Sequence, residues 1–370
     1  MPVRAAVDVC DLAPSYVSAM APYQPGKPLS ELERELGIAG AVKLASNENP
    51  LGPSPRVLAA LKSALGEIAR YPDGNGFELK RAIARRHGVP ESAIILGNGS
   101  NDVLELVART FLTPGAAAVY AQYAFAVYPL VTQATGATGI AVAARNFGHD
   151  LNAMARAVAD QVKVVFVANP NNPTGTLLRP REVLTFLEAV SPRVLVVLDE
   201  AYAEYLPDEL KPESVAWLAQ FPNLIVTRTF SKAFGLAGLR VGYGLAHPEV
   251  ADLMNRVRQP FNVNSLAQVA AVAALDDEAF VAQSRELNRQ GMVQITSGLR
   301  SLGIDFIPSY GNFVTFRVPD AQGVYDRLLR LGVIVRPIAS YGMPDYLRVT
   351  IGLRDENGRF LSALEQAFSR

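Results

Sequence analysis

Apolar residues along this chain come in two kinds of block that alternate. The first kind is short and continuous: Ile94–Leu96, Ala117–Tyr120, Gly139–Val142, Val162–Val167, Val194–Leu198 and Leu224–Val226. Runs of this length, rich in Val, Ile and Leu and flanked by turn residues, predict strands buried on both faces. The second kind repeats at the helical period. Val57, Leu58, Leu61, Leu65 and Ile68 share one face of a helix that Ser54 caps and Pro55 opens. Phe77 to His87 predicts another helix, stopped by Gly88, and Val103, Leu104, Val107 and Phe111 mark the next. With Pro180 to Ala189 the alternation continues, and it predicts an α/β fold whose mostly parallel sheet is covered by helices.

After about Pro260 the pattern changes. Two helices, Leu266–Ala274 and Phe280–Leu302, precede short strand candidates at Phe313–Val318, Val333–Arg336 and Tyr346–Ile351, with a helix Ala321–Leu331 between them. This order predicts a smaller α+β domain. Residues 1–45 are loop-rich, with three prolines and a glycine in APYQPGKP (21–28), and read as an arm rather than a packed unit. The expected division is an N-terminal arm over 1–45, a large domain over 46–260 and a small C-terminal domain over 261–370.

Four polar segments directly follow predicted strands: GNGSND (97–102), NPNNPTG (169–175), DEAY (199–202) and TFSK (229–232). Ligands of parallel sheets lie beyond the carboxyl ends of the strands. The pattern therefore gathers an acid, an amide, a tyrosine, a lysine and two hydroxyl clusters on one rim. GNGSND either aims free backbone N–H groups at an anion or is an ordinary capped turn. It opens like a dinucleotide fingerprint, but Asp102 stands where the third glycine belongs, which favours a single phosphate over a nicotinamide cofactor. Lys232 sits beyond Leu224–Val226, among Thr229, Ser231 and Arg240. An amine there can form a Schiff base with an aldehyde cofactor, provided it is desolvated or close to other cations. The hydroxyls and the planar fork of Arg240 suit a phosphate. Arg336 and Arg348, at small-domain strands, either hold an anionic substrate or are surface charges.

Composition narrows the partners. Lys+Arg and Asp+Glu are 35 each, which gives no reason to expect nucleic acid or an acidic membrane surface. One cysteine, Cys10, excludes a disulfide framework within the chain, and His87, His149 and His247 are too scattered for a zinc site, so no metal is expected. The first residues are broken by Asp8, Asp11 and Pro14 and lack the apolar core of a signal peptide; no apolar run approaches membrane-spanning length. The expectation is a cytoplasmic protein.

Taken together, SNENPLGPSP (46–55), NPNNPTG, VLDEAY (197–202) and TFSKAFGLAGLRVGYG (229–244), in this order, resemble the fold-type-I family of pyridoxal-phosphate (PLP) enzymes, and within it the histidinol-phosphate aminotransferases. The likeness runs from PYQPGKP (22–28) to LRVTIG (347–352). It implies that Lys232 carries PLP and shuttles a proton, that Asp199 pairs with the pyridine nitrogen, and that Tyr202 and Asn172 hydrogen-bond the ring hydroxyl oxygen. Tyr123 would stack on the ring, and Ser100, Asn101, Thr229, Ser231 and Arg240 would hold the phosphate. Tyr71 would reach that phosphate from a second subunit, implying a homodimer with a shared site. Arg348 would take the substrate carboxylate, Tyr23 and Arg336 the distal phosphate, and Asn47 would lie in the substrate-side loop. The implied reaction moves an amino group between a small-molecule donor and a 2-oxo acid: L-histidinol phosphate and 2-oxoglutarate against imidazole acetol phosphate and L-glutamate. The alternatives are a phenylalanine or tyrosine aminotransferase, a threonine-phosphate decarboxylase, and a non-catalytic effector-binding domain. The loop RPIASYGMP (336–344) also occurs in similar form among aromatic aminotransferases, so the role of Arg336 is more open than that of Arg348.

Overall fold

The structure is a computed structural model and describes residues 9–368. The first part of the expected arm, residues 1–8, lies outside the described residues. The strands in chain order are β1 (Val42–Lys43), β2 (Ile94–Gly97), β3 (Ala117–Ala121), β4 (Thr138–Val142), β5 (Val162–Ala168), β6 (Leu195–Asp199), β7 (Leu224–Thr229), β8 (Gly242–Ala246), β9 (Phe306–Ile307), β10 (Phe313–Arg317), β11 (Val333–Ile334), β12 (Arg336–Pro337) and β13 (Tyr346–Thr350). The large sheet has the order β2-β8-β7-β6-β5-β3-β4. Strand β8 runs antiparallel to both its neighbours, and the other pairs from β7 to β4 are parallel. The mostly parallel sheet covered by helices is thus present.

The inner strands of this sheet bury residues on both faces, whereas the edge strand β4 is at most half-buried. In β5, Val165 and Val167 enter one apolar cluster while Val164 and Phe166 enter the other. Complete burial of a side chain of this kind is worth roughly 1.5–3 kcal/mol, so the continuous Val/Ile/Leu runs are what make the sheet central. A second antiparallel sheet, β12-β13-β10-β9, carries its own apolar cluster and lies in the C-terminal part of the chain.

Several elements depart from the sequence reading. Leu29–Leu36 is a helix inside the stretch read as loop-rich, with Leu32 buried against Ala45 and Ile334. β1 pairs in parallel with β11, which ties this early segment to the small sheet. Val333–Arg336 is not one strand: β11 pairs with β1, and β12 pairs with β13. Strand β8 has no extended apolar run of its own; Gly242 lies against the backbone of Gly99 and Ser100, and Gly244 against the Val103 and Ile95 side chains. The helix Pro55–Ala64 buries Val57, yet Leu58, Leu65 and Ile68 on the same expected face are 45%, 52% and 64% exposed. Val57 and Leu61 pack on the main core, so the expected face is split: Leu58, Leu65 and Ile68 turn to the surface.

Candidate active site

The carboxyl ends of β2, β5, β6 and β7 meet at one cavity of about 240 Å³. Register explains the meeting. Gly97 pairs with Gly242, and Gly242 with Thr229, so the GNGSND and TFSK segments leave the sheet side by side. Ala168 pairs with Asp199, and Asp199 with Thr227, which brings NPNNPTG and DEAY to the same edge.

One side of the cavity is an anion cradle. Ser100 and Asn101 open the helix Ser100–Phe111, whose first N–H groups lack intrahelical partners. Gly99 holds a left-handed φ of 81°, and a Cβ there would lie 2.6 Å from Arg240 Nη2. Glycine is therefore required for Arg240 to cross this turn. Arg240 itself has φ 58°, a conformation that costs a non-glycine residue about 1–2 kcal/mol. Its guanidinium compensates by donating to Ser231 Oγ (3.3 Å), Ala237 O (2.9 Å) and Asn98 O (3.3 Å). Asp102 does not enter the cavity: its Oδ2 accepts from Asn98 N–H (2.9 Å) and from Asn262 Nδ2 (2.8 Å), closing the turn. Its presence in place of a third glycine has this structural reason.

Lys232 lies at the floor, donating from Nζ to Ser46 O at 3.1 Å. Burial, reinforced by the nearby Arg348 and Arg240 charges, lowers its pKa to about 7. Asp199 is buried and also lines the cavity; burial raises its pKa, opposed by hydrogen bonds from Tyr128, Thr227 and the Ala201 N–H. Tyr202 Oη accepts from Asn47 Nδ2 at 2.8 Å, and burial pushes the phenol up to about 12.

The small-sheet side supplies two more cations. Arg348 on β13 is buried, donates from Nη2 to Ala45 O (2.9 Å) and from Nη1 to Asn172 Oδ1, and leaves its Nε without a partner. Arg336 on β12 donates from Nη2 to Gln24 O (2.5 Å) and to Tyr23 Oη (3.5 Å), with the guanidinium over the Tyr23 ring.

The cavity wall therefore includes Lys232, Asp199, Tyr202, Ser100, Asn101, Asn172, Thr229, Ser231, Arg240, Tyr23, Asn47, Arg336 and Arg348. Two expected residues are not on it. Tyr123 stands beside the cavity, its ring stacked with Phe147 at 6.1 Å, and Phe125 occupies the wall instead. Tyr71 is 83% exposed and stacks on Phe261, away from this chain's own cavity. The sequence reading also passed over Tyr341, which lines the cavity, and Thr227 and Tyr128, which hold Asp199. Thr227 stands two residues before Thr229 on the same strand, a period-2 signal that could have found it.

Comparison with known proteins decides the family. The family model for aminotransferase class I and II matches residues 39–364. The chain belongs to the class I and II aminotransferases. This aminotransferase is 64% identical to histidinol-phosphate aminotransferase 2 of Nitrosospira multiformis over 97% of its own length and 92% of the relative's. It is 63% identical to the histidinol-phosphate aminotransferase of Methylobacillus flagellatus, over 96% and 97% of the two chains. Among solved structures, the histidinol-phosphate aminotransferase of Sinorhizobium meliloti in complex with pyridoxal-5'-phosphate superposes with a TM-score of 0.89 at 29% identity, covering 96% of this chain and 97% of that one.

Proposed function

We propose that this aminotransferase interconverts L-histidinol phosphate and 2-oxoglutarate with imidazole acetol phosphate and L-glutamate, using PLP, in histidine biosynthesis. The observation that carries the reading is the set of cations on the wall: Lys232, Arg240, Arg336 and Arg348 make no ion pair among the described residues, and all face one cavity. Unpaired cations in a confined site call for anionic ligands. The residues fit PLP. The Gly99 turn, which a Cβ would fill, and the Ser100, Asn101, Thr229, Ser231 and Arg240 donors suit its phosphate. Asp199 suits its ring nitrogen, Tyr202 and Asn172 its ring hydroxyl, and the Lys232 amine its aldehyde carbon. When bound, PLP supplies an electron sink for the bond broken at the substrate α-carbon.

The chain's own residues do the rest. Lys232 Nζ, with a pKa near about 7, can take the α-proton and return it. Asp199 keeps a negative charge beside the ring nitrogen. Arg348 offers glutamate or 2-oxoglutarate a planar fork, its Nε still unpartnered. Arg336 with Tyr23 reads the distal phosphate of histidinol phosphate, and Asn47 braces Tyr202 in the substrate-side loop.

A cytoplasmic homodimer belongs to the same proposal. Tyr71 and Phe261 stack on each other at the surface, and Phe77, Leu65 and Ile68 are exposed as well, apolar area of a kind that a second copy would cover. Tyr71 would then serve the partner's phosphate cradle, and Tyr123 would close on the ring of the bound cofactor.

The test is borohydride reduction with PLP followed by peptide mapping, together with a substrate screen in both half-reactions. The pyridoxyl group is expected on Lys232, and histidinol phosphate is expected to react better than free histidinol or phenylalanine. Labelling of another lysine sinks the site assignment. Equal reaction of histidinol and histidinol phosphate moves the aromatic aminotransferase reading to first place.

A further inference from the structure

Asp199 is gripped from behind the cavity. Tyr128 Oη donates to its Oδ2 at 2.8 Å, and Thr227 Oγ1 donates to its Oδ1 at 2.9 Å. Both hydroxyls are fully buried, and neither residue lines the cavity, so neither touches a ligand there. Tyr128 is fixed in turn. It sits on the helix Val127–Ala134, its ring lies parallel to Phe166 at 4.8 Å and 6°, and Phe125 meets it edge-on at 5.9 Å. Thr227 is on the neighbouring strand and is the register partner of Asp199. The two donors thus come from opposite elements and leave the carboxylate little freedom to rotate. A carboxylate oxygen has two lone pairs, so each can accept from behind and still face the cavity.

The direction of the effect follows from chemistry. Burial alone favours the neutral acid, and hydrogen bonds to the charged form favour the anion. The Tyr128 phenol is driven well above its ordinary pKa by burial and by Asp199, so it donates its proton in a hydrogen bond and does not release it.

On the reading of this cavity as a PLP site, we propose that Tyr128, with Thr227, is a positioning residue. The two hydroxyls fix the plane of the Asp199 carboxylate and hold it as the anion that keeps the ring nitrogen protonated. Without them the proton moves from the ring nitrogen toward the carboxylate, and the pairing weakens.

The test uses the holoenzyme reconstituted with PLP carrying 15N in the ring. Tyr128→Phe keeps the ring on Phe166 and removes the hydroxyl; Thr227→Val is nearly isosteric and removes the other donor. Borohydride mapping of the unmodified protein comes first. No label there sinks the PLP reading and this proposal with it, a failure distinct from any seen only in the variants. With the cofactor in place, the 15N signal of Tyr128→Phe is expected to move from the pyridinium position toward neutral pyridine, and the cofactor to dissociate about tenfold more readily, the scale of one hydrogen bond to a charged group. Thr227→Val moves both readouts the same way and decides the matter alone if Tyr128→Phe does not fold. A pyridinium signal in both variants overturns the proposal. So does a lower Tm with the nitrogen signal unmoved, which assigns Tyr128 to packing.

Discussion

Asp199 and Glu200 are adjacent in the chain, as are Thr227 and Arg228, yet they serve two differently built clusters of buried charge. Arg228 faces Glu200 at 2.5 Å and Glu204 at 3.4 Å, and none of the three lines the cavity. The cavity residues next to them are built the other way: Lys232, Arg240 and Arg348 donate to carbonyls, a hydroxyl and the Asn172 amide, and among the described residues the cavity carboxylates Asp199 and Glu48 form no ion pair with them. Burial of an ion is tolerated when it is paired, as behind the sheet. Burial without a pair lowers the pKa of Lys232 and of Arg348, a cost that an anionic ligand would offset. The difference separates architecture from chemistry on the same two strands.

The comparison can be broken at its largest contrast first. Lys232→Ala is expected to lower single-turnover transamination by at least about 10³-fold, the upper range for a lost proton-transfer group, while the unfolding midpoint of the apoprotein does not fall. Arg228→Met should do the reverse. It leaves Glu200 and Glu204 buried without their partner and should cost about 3–5 kcal/mol in denaturant unfolding, with half-reaction rates per folded molecule nearly unchanged. If Arg228→Met spares stability and stops turnover, the division between the clusters is wrong.

Smaller effects sharpen it. Asp199→Ala removes the charge proposed to face the ring nitrogen and is expected to slow the chemical step about 10²–10³-fold, as for other lost charge stabilisers. Arg348→Lys keeps a charge but not the fork, and should harm the glutamate half-reaction more than the histidinol phosphate one. Arg336→Ala should weaken histidinol phosphate by about 1.5–3 kcal/mol and phenylalanine much less, as read from KM in each half-reaction.

The mildest test is pH. In its proposed role Lys232 reacts as the neutral amine, which predominates above its pKa of about 7. Stopped-flow capture of PLP by the apoprotein should therefore rise as pH climbs to that value and level off above about pH 8, whereas a free lysine would keep rising toward about 10.4. The linked stability has a defined sign. The unfolded chain holds the Lys232 proton up to its ordinary pKa and the folded one releases it near about 7, so the apoprotein gains stability as pH rises across that window.

Much of the site was legible because strand ends are legible. Continuous Val/Leu runs mark buried strands, and the polar segment after each is confined to one rim of a parallel sheet. GNGSND, NPNNPTG, DEAY and TFSK could therefore be assembled without coordinates, and all four contribute to the cavity. Tyr128 carries no comparable signal. It stands in a helix among apolar neighbours, and only packing on Phe166 turns its hydroxyl to Asp199. Tyr123 and Phe125 show the same limit: two aromatics two residues apart, of which the fold turns Phe125 to the wall.

From the order of its residues this chain dictated the layered α/β sheet, the rim where chemistry gathers and the lysine, acid and hydroxyls placed there. These follow from local propensity and from apolar burial, which act over a few residues. The partner change between β11 and β12, the approach of Arg336 and Arg348 to a cavity opened by other strands, and the grip of Tyr128 on Asp199 depend on contacts between distant segments. Arg348 and Asn172 are far apart in sequence but hydrogen-bonded in the fold, and no local pattern encodes such a meeting. Long-range packing decided them because it sets which buried charges find partners and which remain for a ligand.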